Sequence, residues 1–184
     1  MSESLTEHLR AHCAGGGPDV ASIAFVGVER MDVLRFGPAD GVYCHVTVGC
    51  SRHPMVAASE PLADPVRGPR AEVVMRLRDH GPTSGLARSL AVIAAVPAVD
   101  GVVLAEDLLV DLSAPLWQGA PFTAVLLGPS DIPDLPAERP REPVRFLAAV
   151  PITQTEAAWV RLKGADAMRA AWLEDEADLL DPLR

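Results

Sequence analysis

Residues 71–78 alternate between apolar and polar. Val73, Met75 and Leu77 fall on one side of an extended chain, and Glu72, Arg76 and Arg78 fall on the other. This period of two marks a strand with one face on a core. Pro65, Gly68 and Pro69 before it, and Gly81-Pro82 after it, supply loop chemistry. The stretch is predicted as the central strand, with a strand pair before it and a helix and two more strands after.

The remaining pattern fills in around it. Ser4-Leu5-Thr6-Glu7 has capping-box spacing and predicts a short helix to about Cys13, stopped by Gly15-Gly16-Gly17-Pro18. Residues 22–29 and 31–36 predict strands. Gly37-Pro38-Ala39-Asp40-Gly41 is a turn, and residues 42–51 form a further strand, so the flanks of the turn predict a hairpin. Residues 53–70 show no period and read as a mobile surface loop. Pro82-Thr83-Ser84 starts a helix with Leu86, Leu90, Ile93 and Ala94 on one face, and Pro97 ends it. Residues 102–112 leave strand and helix open. Residues 122–127 are apolar on both sides, which predicts an interior strand covered on each face. Residues 128–143 form a loop, and 144–150 form a strand that Pro151 breaks. Thr153 and Glu156 have capping-box spacing for a helix that places Trp159 and Leu162 on one face. After Gly164, Met168, Ala171 and Trp172 form the stripe of a last helix, and the Trp159–Trp172 pair reads as core. No repeat or second domain appears, so the expectation is one compact α/β domain spanning residues 1–184.

The bulk numbers bound the function classes. The chain has 184 residues, enough for one real core. The net charge of −9 argues against gripping a nucleic-acid backbone, and suits a basic partner or simple solubility. Three cysteines, Cys13, Cys44 and Cys50, without framework spacing favour a reducing cytoplasm. The N-terminus has no basic and apolar export signal, and no apolar run is long enough to span a bilayer, so neither secretion nor a membrane is expected.

Candidate chemistry is sparse. Cys44, His45, Cys50 and His53 are the best metal set. On a strand, Cys44 and Cys50 share a face but lie roughly 20 Å apart, and His45 points the other way. Closed zinc sites need tight pairs with a turn between them, so no metal is expected, and no disulfide between those two cysteines. The triglycine is followed by nothing basic and lacks phosphate-loop spacing. No nucleophile elbow is present. Ser130-Asp131 follows the strand at 122–127, where α/β enzymes place function, but the pair also reads as a turn. His8 and His12 are one helical turn apart without a third ligand. The run Glu174-Asp175-Glu176, with Asp178 and Asp181, reads as a solvated face.

Four blocks in order carry a resemblance. They are Tyr43-Cys44-His45-Val46-Thr47-Val48-Gly49-Cys50-Ser51; residues 71–78 through Glu72, Arg76 and Leu77; Gly85-Leu86-Ala87-Arg88; and Phe146-Leu147-Ala148-Ala149-Val150 with Thr153 and Glu156. From about Val42 to the end, the chain resembles the suppressor-of-fused family in its bacterial single-domain form. It departs from that family in lacking a tryptophan near Tyr43 and phenylalanines at Ala71 and Met75. The resemblance implies a mixed, mostly antiparallel central sheet flanked by helices, like the family's N-terminal domain. The animal members carry a second domain, for which this chain has no room. They act by binding, taking a short peptide as an added strand, and bacterial members have been proposed as immunity proteins against secreted toxins.

What the resemblance implies is therefore a non-enzymatic, cofactor-free cytoplasmic domain that binds another protein, such as a basic toxin domain or an extended peptide. The stretch nearest the family's ligand-binding region is Leu126, Leu127, Gly128, Pro129, Ser130 and Asp131. Two rival expectations stand beside it: a small hydrolase using the Ser130-Asp131 loop, and an oligomerisation module paired through a strand edge.

Overall fold

The computed structural model describes residues 2–60 and 64–184. Seven strands form one open sheet in the order β1-β2-β3-β4-β7-β6-β5. They are β1 (Asp19–Phe25), β2 (Val28–Ala39), β3 (Val42–Val48), β4 (Arg70–Arg78), β5 (Leu109–Asp111), β6 (Phe122–Pro129) and β7 (Val144–Thr153). Only β4 and β7 run parallel; the other neighbours are antiparallel. The helices are α1 (Ser2–His12), α2 (Leu86–Asp100), α3 (Gln154–Lys163) and α4 (Ala165–Glu174). The expected mostly antiparallel sheet with flanking helices is the observed architecture.

One sheet face is covered by α2. Its Leu86, Leu90, Ile93 and Ala94 are buried against Val33, Val73, Met75, Val125 and Leu127, each large side chain contributing about 2 kcal/mol on burial. The other face is covered in two places. Leu5 and Leu9 of α1 pack with Phe36, Val46, Val74 and Phe146. Val160 of α3, and Met168 and Trp172 of α4, pack on Leu126 and Ile152. Residues 122–127 are thus interior and covered on each side, as their unbroken apolarity predicts.

Several expectations need correction. The strand at 71–78 is not half-buried: Glu72 and Val74 on its second face are as enclosed as Val73 and Met75, because the turn after β3 closes over Glu72 and the α1 cluster closes over Val74. Ser4 lies inside α1 rather than at its cap. Pro97 sits within the last turn of α2, which runs on to Asp100. The Pro97 carbonyl still accepts from the Gly101 amide, so the proline costs one bond near the frayed end, where it matters least. Pro151 does not break β7, which continues to Thr153. Its carbonyl points away from β6 to accept from Arg184 at 2.6 Å. The proline nitrogen faces the same way, so no ladder bond is lost. Trp159 and Leu162 are exposed, at 47% and 82%; α3 instead buries Ala157 and Val160, the latter a 100° step further round the helix. The loop at 53–70 is pinned, with Pro54 and Met55 buried, the Met55 amide on the Pro69 carbonyl and the Ala58 amide on the Gly101 carbonyl. Its residues 61–63 lie outside the described residues. The open segment 102–112 contributes the short edge strand β5.

A buried carboxylate joins β3 to β4. Glu72 is 0% exposed. Its Oε2 accepts from the Thr47 hydroxyl at 2.7 Å. Its Oε1 accepts from the Gly49 amide, the Ser51 amide and the Ser51 hydroxyl at 2.8, 3.0 and 2.6 Å. Burial pushes this carboxyl above its usual range, and those four donors pull it only part of the way back. Gly49 has φ 150, and a Cβ there would meet the Met31 sulfur at 2.5 Å, so glycine alone lets the chain turn in toward the carboxylate. Two residues before Glu72, the buried Arg70 guanidinium donates to the carbonyls of Ser51, Arg52 and Val66.

A second carboxylate holds the C-terminal elements. Thr153 and Glu156 form the predicted capping box at the start of α3. Glu156 also accepts from the Trp172 indole at 2.7 Å and pairs with Arg184. Burial opposes its charge, but the Thr153 amide, Trp172 and Arg184 outweigh burial and hold the carboxyl below the usual value of 4.5.

Replacing Glu72 by Ala strands two buried amides and two hydroxyls, and should cost about 3–5 kcal/mol in urea unfolding. Glu72→Gln keeps an acceptor oxygen and should cost about 1–2 kcal/mol. Glu156 titrates lower in the folded than in the unfolded chain, so its stabilisation is complete above the ordinary Glu range and drains away as pH falls through the folded value. The stability gap between wild type and Glu156→Gln, followed by tryptophan fluorescence, should therefore be largest near neutrality and shrink toward about pH 3.

Candidate functional site

Between the two coverings of the second sheet face lies an open groove. The chain leaves β6 at Pro129 and crosses toward β4, where Asp131 meets Arg76 at 2.7 Å. After α4 the chain returns across the same face and is tied to the end of β4. Arg78 pairs with Asp178 at 2.6 Å, and its amide donates to the Leu180 carbonyl at 2.8 Å. These crossings are the walls. Val74 and Arg76 of β4, with Ala148 and Val150 of β7, form the floor, and Leu179 and Leu180 the far side, of a cleft of about 280 Å³. An adjoining hollow of about 630 Å³ continues it past Gly128, Arg169, Trp172 and Leu173. Arg169 is engaged there, with Asp107 at 2.6 Å and the Leu127 carbonyl at 3.3 Å.

The six residues singled out from the sequence divide along this groove. Leu126 and Leu127 are buried on opposite faces of β6, under α3–α4 and α2 respectively. Gly128, Pro129, Ser130 and Asp131 border the groove. Ser130 Oγ accepts from the Ile132 amide at 3.1 Å, a turn that sets the path of the wall. The carboxylate of Asp131 is occupied by Arg76. Arg76, Trp172 and Leu179-Leu180 were not picked out as site residues. Their approach depends on two chain crossings separated by about fifty residues, and nothing local signals it.

The other candidates are dispersed. Cys44 faces Cys13, their sulfurs 3.3 Å apart. His45 is buried on the α2 side, where burial and the Arg35 charge lower it to about 4. His53 meets Glu29 at 3.1 Å. Burial and the Glu72 carboxylate push the Cys50 thiol well up. Among the described residues no group of three or more His, Cys, Asp or Glu is placed to hold a metal ion, and no helix is long and apolar enough to cross a membrane. His8 and His12 do share a face, with rings 4.4 Å apart. His8 stacks on Phe146 and bonds the Pro133 carbonyl at 2.8 Å, so it braces the groove wall.

The groove therefore offers an apolar floor flanked by polar groups already committed to one another.

Comparison with known proteins agrees with this architecture. The curated proteins contain no sequence match. Among solved structures, a suppressor of fused homolog from Neisseria gonorrhoeae superposes with a TM-score of 0.69 at 18% identity, covering 100% of this chain and 94% of that one. A chain of the Sufu-Fu complex gives 0.67 at 12%, covering 97% and 84%. Drosophila Suppressor of Fused gives 0.57 at 12%, covering 83% and 39%. At these identities the likeness establishes the fold. The family model of the suppressor of fused protein matches residues 27–184, and the chain belongs to the suppressor of fused family.

Proposed function

We propose that this chain is a non-enzymatic, cytoplasmic protein-binding domain, and that its partner is a basic toxin domain which it neutralises as an immunity protein. The observation that carries the binding reading is the groove. It is apolar at its floor, open along its length, and edged by Gly128, Pro129, Ser130 and Asp131. A structural neighbour is described as the Sufu-Fu complex, in which a protein of this fold is held with another protein. The sharper reading draws on charge: a chain of net charge −9 is attracted to a basic partner and gains association rate from it. The exposed acidic run Glu174-Asp175-Glu176 beside the open Leu173 adds a local match.

A second reading has its own observation. Among the described residues, no strand pairs with the outer edge of β1 along Val20-Ala21-Ser22-Ile23, a stretch without lysine or proline. Such an edge accepts another strand, from a second copy or from a peptide.

Filling the groove separates the two. Ala148→Arg places a long cation on its floor and, where sequencing of the flanking genes finds a basic toxin domain, should weaken capture of that domain by at least tenfold, with little change in thermal stability. Co-expression of the wild-type chain should rescue growth in cells making that toxin, and the variant should not. Equal binding by the variant sends the groove reading down, and failure of the wild type to protect removes the immunity role. Light scattering on the purified chain tests β1: a stable dimer favours edge pairing, and a clean monomer argues against it.

A further inference from the structure

Cys13 follows the last turn of α1, and Cys44 lies in β3 beneath it. The two sulfurs approach to 3.3 Å within an apolar cluster, where the residues are 4% and 7% exposed. Thirty-one positions separate them in sequence, so the fold alone brings them together. Directly across the sheet from Cys44 is Arg76, whose guanidinium lies against that thiol as well as on Asp131. Closing a disulfide requires the sulfurs to move together by about 1 Å.

The two thiols are not equivalent. Hydrogen bonding from Cys13 and the nearby Arg76 charge lower Cys44 against the effect of burial. Cys13 is raised by its bond to Cys44 and by burial. Of the two sulfurs, Cys44 is the one opposite Arg76, and that neighbouring cation favours its thiolate as the attacking group, with Cys13 the thiol that follows.

We propose that Cys13 and Cys44 are a peroxide-responsive pair, in which Cys44, seated against the Arg76 guanidinium, is oxidised first and Cys13 then closes a disulfide that fastens α1 to β3. In the first step the Cys44 thiolate attacks one oxygen of hydrogen peroxide. The O–O bond breaks, hydroxide leaves and takes a proton to become water, and the sulfur becomes a sulfenic acid. In the second step the Cys13 sulfur attacks the Cys44 sulfur, the S–O bond breaks, and the departing hydroxide takes the Cys13 proton. Two thiols and one peroxide become one disulfide and two waters. The bond would fix α1, whose His8 braces the groove wall through Pro133, so oxidation would stiffen one side of the groove. Cys50, pushed up by burial and by Glu72, serves as the unreactive internal reference.

The test is oxidation of the folded chain with hydrogen peroxide, followed by alkylation in denaturant and mass spectrometry. The expected product has lost two hydrogens and has one alkylatable thiol where the reduced chain has three. In a Cys50→Ser background, the bond should map to Cys13 and Cys44. Cys13→Ser should leave a sulfenic acid on Cys44 that dimedone traps, and Arg76→Gln should slow disulfide formation roughly tenfold. Thermal melts of the reduced variants confirm that each is folded. Three free thiols after exposure to peroxide, oxidation of Cys50 ahead of Cys44, sulfinic acid on Cys44 with Cys13 still free, or a disulfide that forms no faster than in urea-unfolded chain would each overturn the proposal.

Discussion

A carboxylate without access to water organises the centre of this sheet. Desolvating Glu72 is expensive, and its position is stable only because four donors converge on it. Three of the four come from the short turn that ends β3, and the fourth from Thr47 just before it. Arg70, two residues earlier on the same strand, takes the carbonyls of that turn. The Gly49 and Ser51 amides go to the acid, the Ser51 and Arg52 carbonyls go to the base, and the Arg52 amide goes to the Gly49 carbonyl, so much of a buried irregular segment is hydrogen-bonded within the protein. Thr47 also accepts from the Val73 amide at 2.8 Å, which fixes the register between the two strands. The family pattern of threonine, glycine and serine in one block and glutamate in the next is thereby explained as one physical unit. Those residues are scaffold, and they are too deeply enclosed to contact a partner.

With β3 and β4 locked, the remaining architecture concerns what covers the sheet. The helix α2 closes one face. On the other, α1 packs over β2 and β3 and reaches Val74 of β4 and Phe146 of β7, while α3 and α4 cover β6 and the end of β7, and between these coverings the middle of the face around Arg76 and Ala148 stays open. Among the described residues, two chain crossings, one after β6 and one after α4, border that middle, and ion pairs and a backbone bond to β4 hold them. The groove is the consequence of two coverings that do not meet. Its walls depend on Arg76 and Arg78, consecutive outward positions on one strand that hold Asp131 and Asp178 respectively.

The candidate site was legible only in part. Gly128 to Asp131 follow from the resemblance to the family's ligand-binding stretch rather than from any local pattern, and those four do border the groove. Leu126 and Leu127 belonged to the same stretch, but a strand covered on both faces leaves neither side chain free. Trp159 and Trp172 illustrate the same limit on helices. Both have helical spacing to apolar neighbours, yet α3 rests on its small residues, leaving Trp159 open, while Trp172 is drawn inward by its bond to Glu156. Periodicity gives an apolar stripe, and the partner surface decides which part of the stripe is used.

From the residues alone, the alternation at 71–78, the hairpin turn expected within residues 37–41, the apolar stripe of α2 and the capping box at Thr153 determined where most elements lie, because each depends on local backbone preference and a short repeat; β2 runs on to Ala39, so the turn itself is narrower. Tertiary structure decided what those elements enclose. It turned Glu72 from an outward-facing charge into a buried hub, carried β7 through Pro151 by facing its nitrogen away from the ladder, and set Cys13 against Cys44. These outcomes rest on contacts between residues far apart in sequence, whose energies depend on burial and on convergence of partners, and neither quantity is written in any single stretch of the chain.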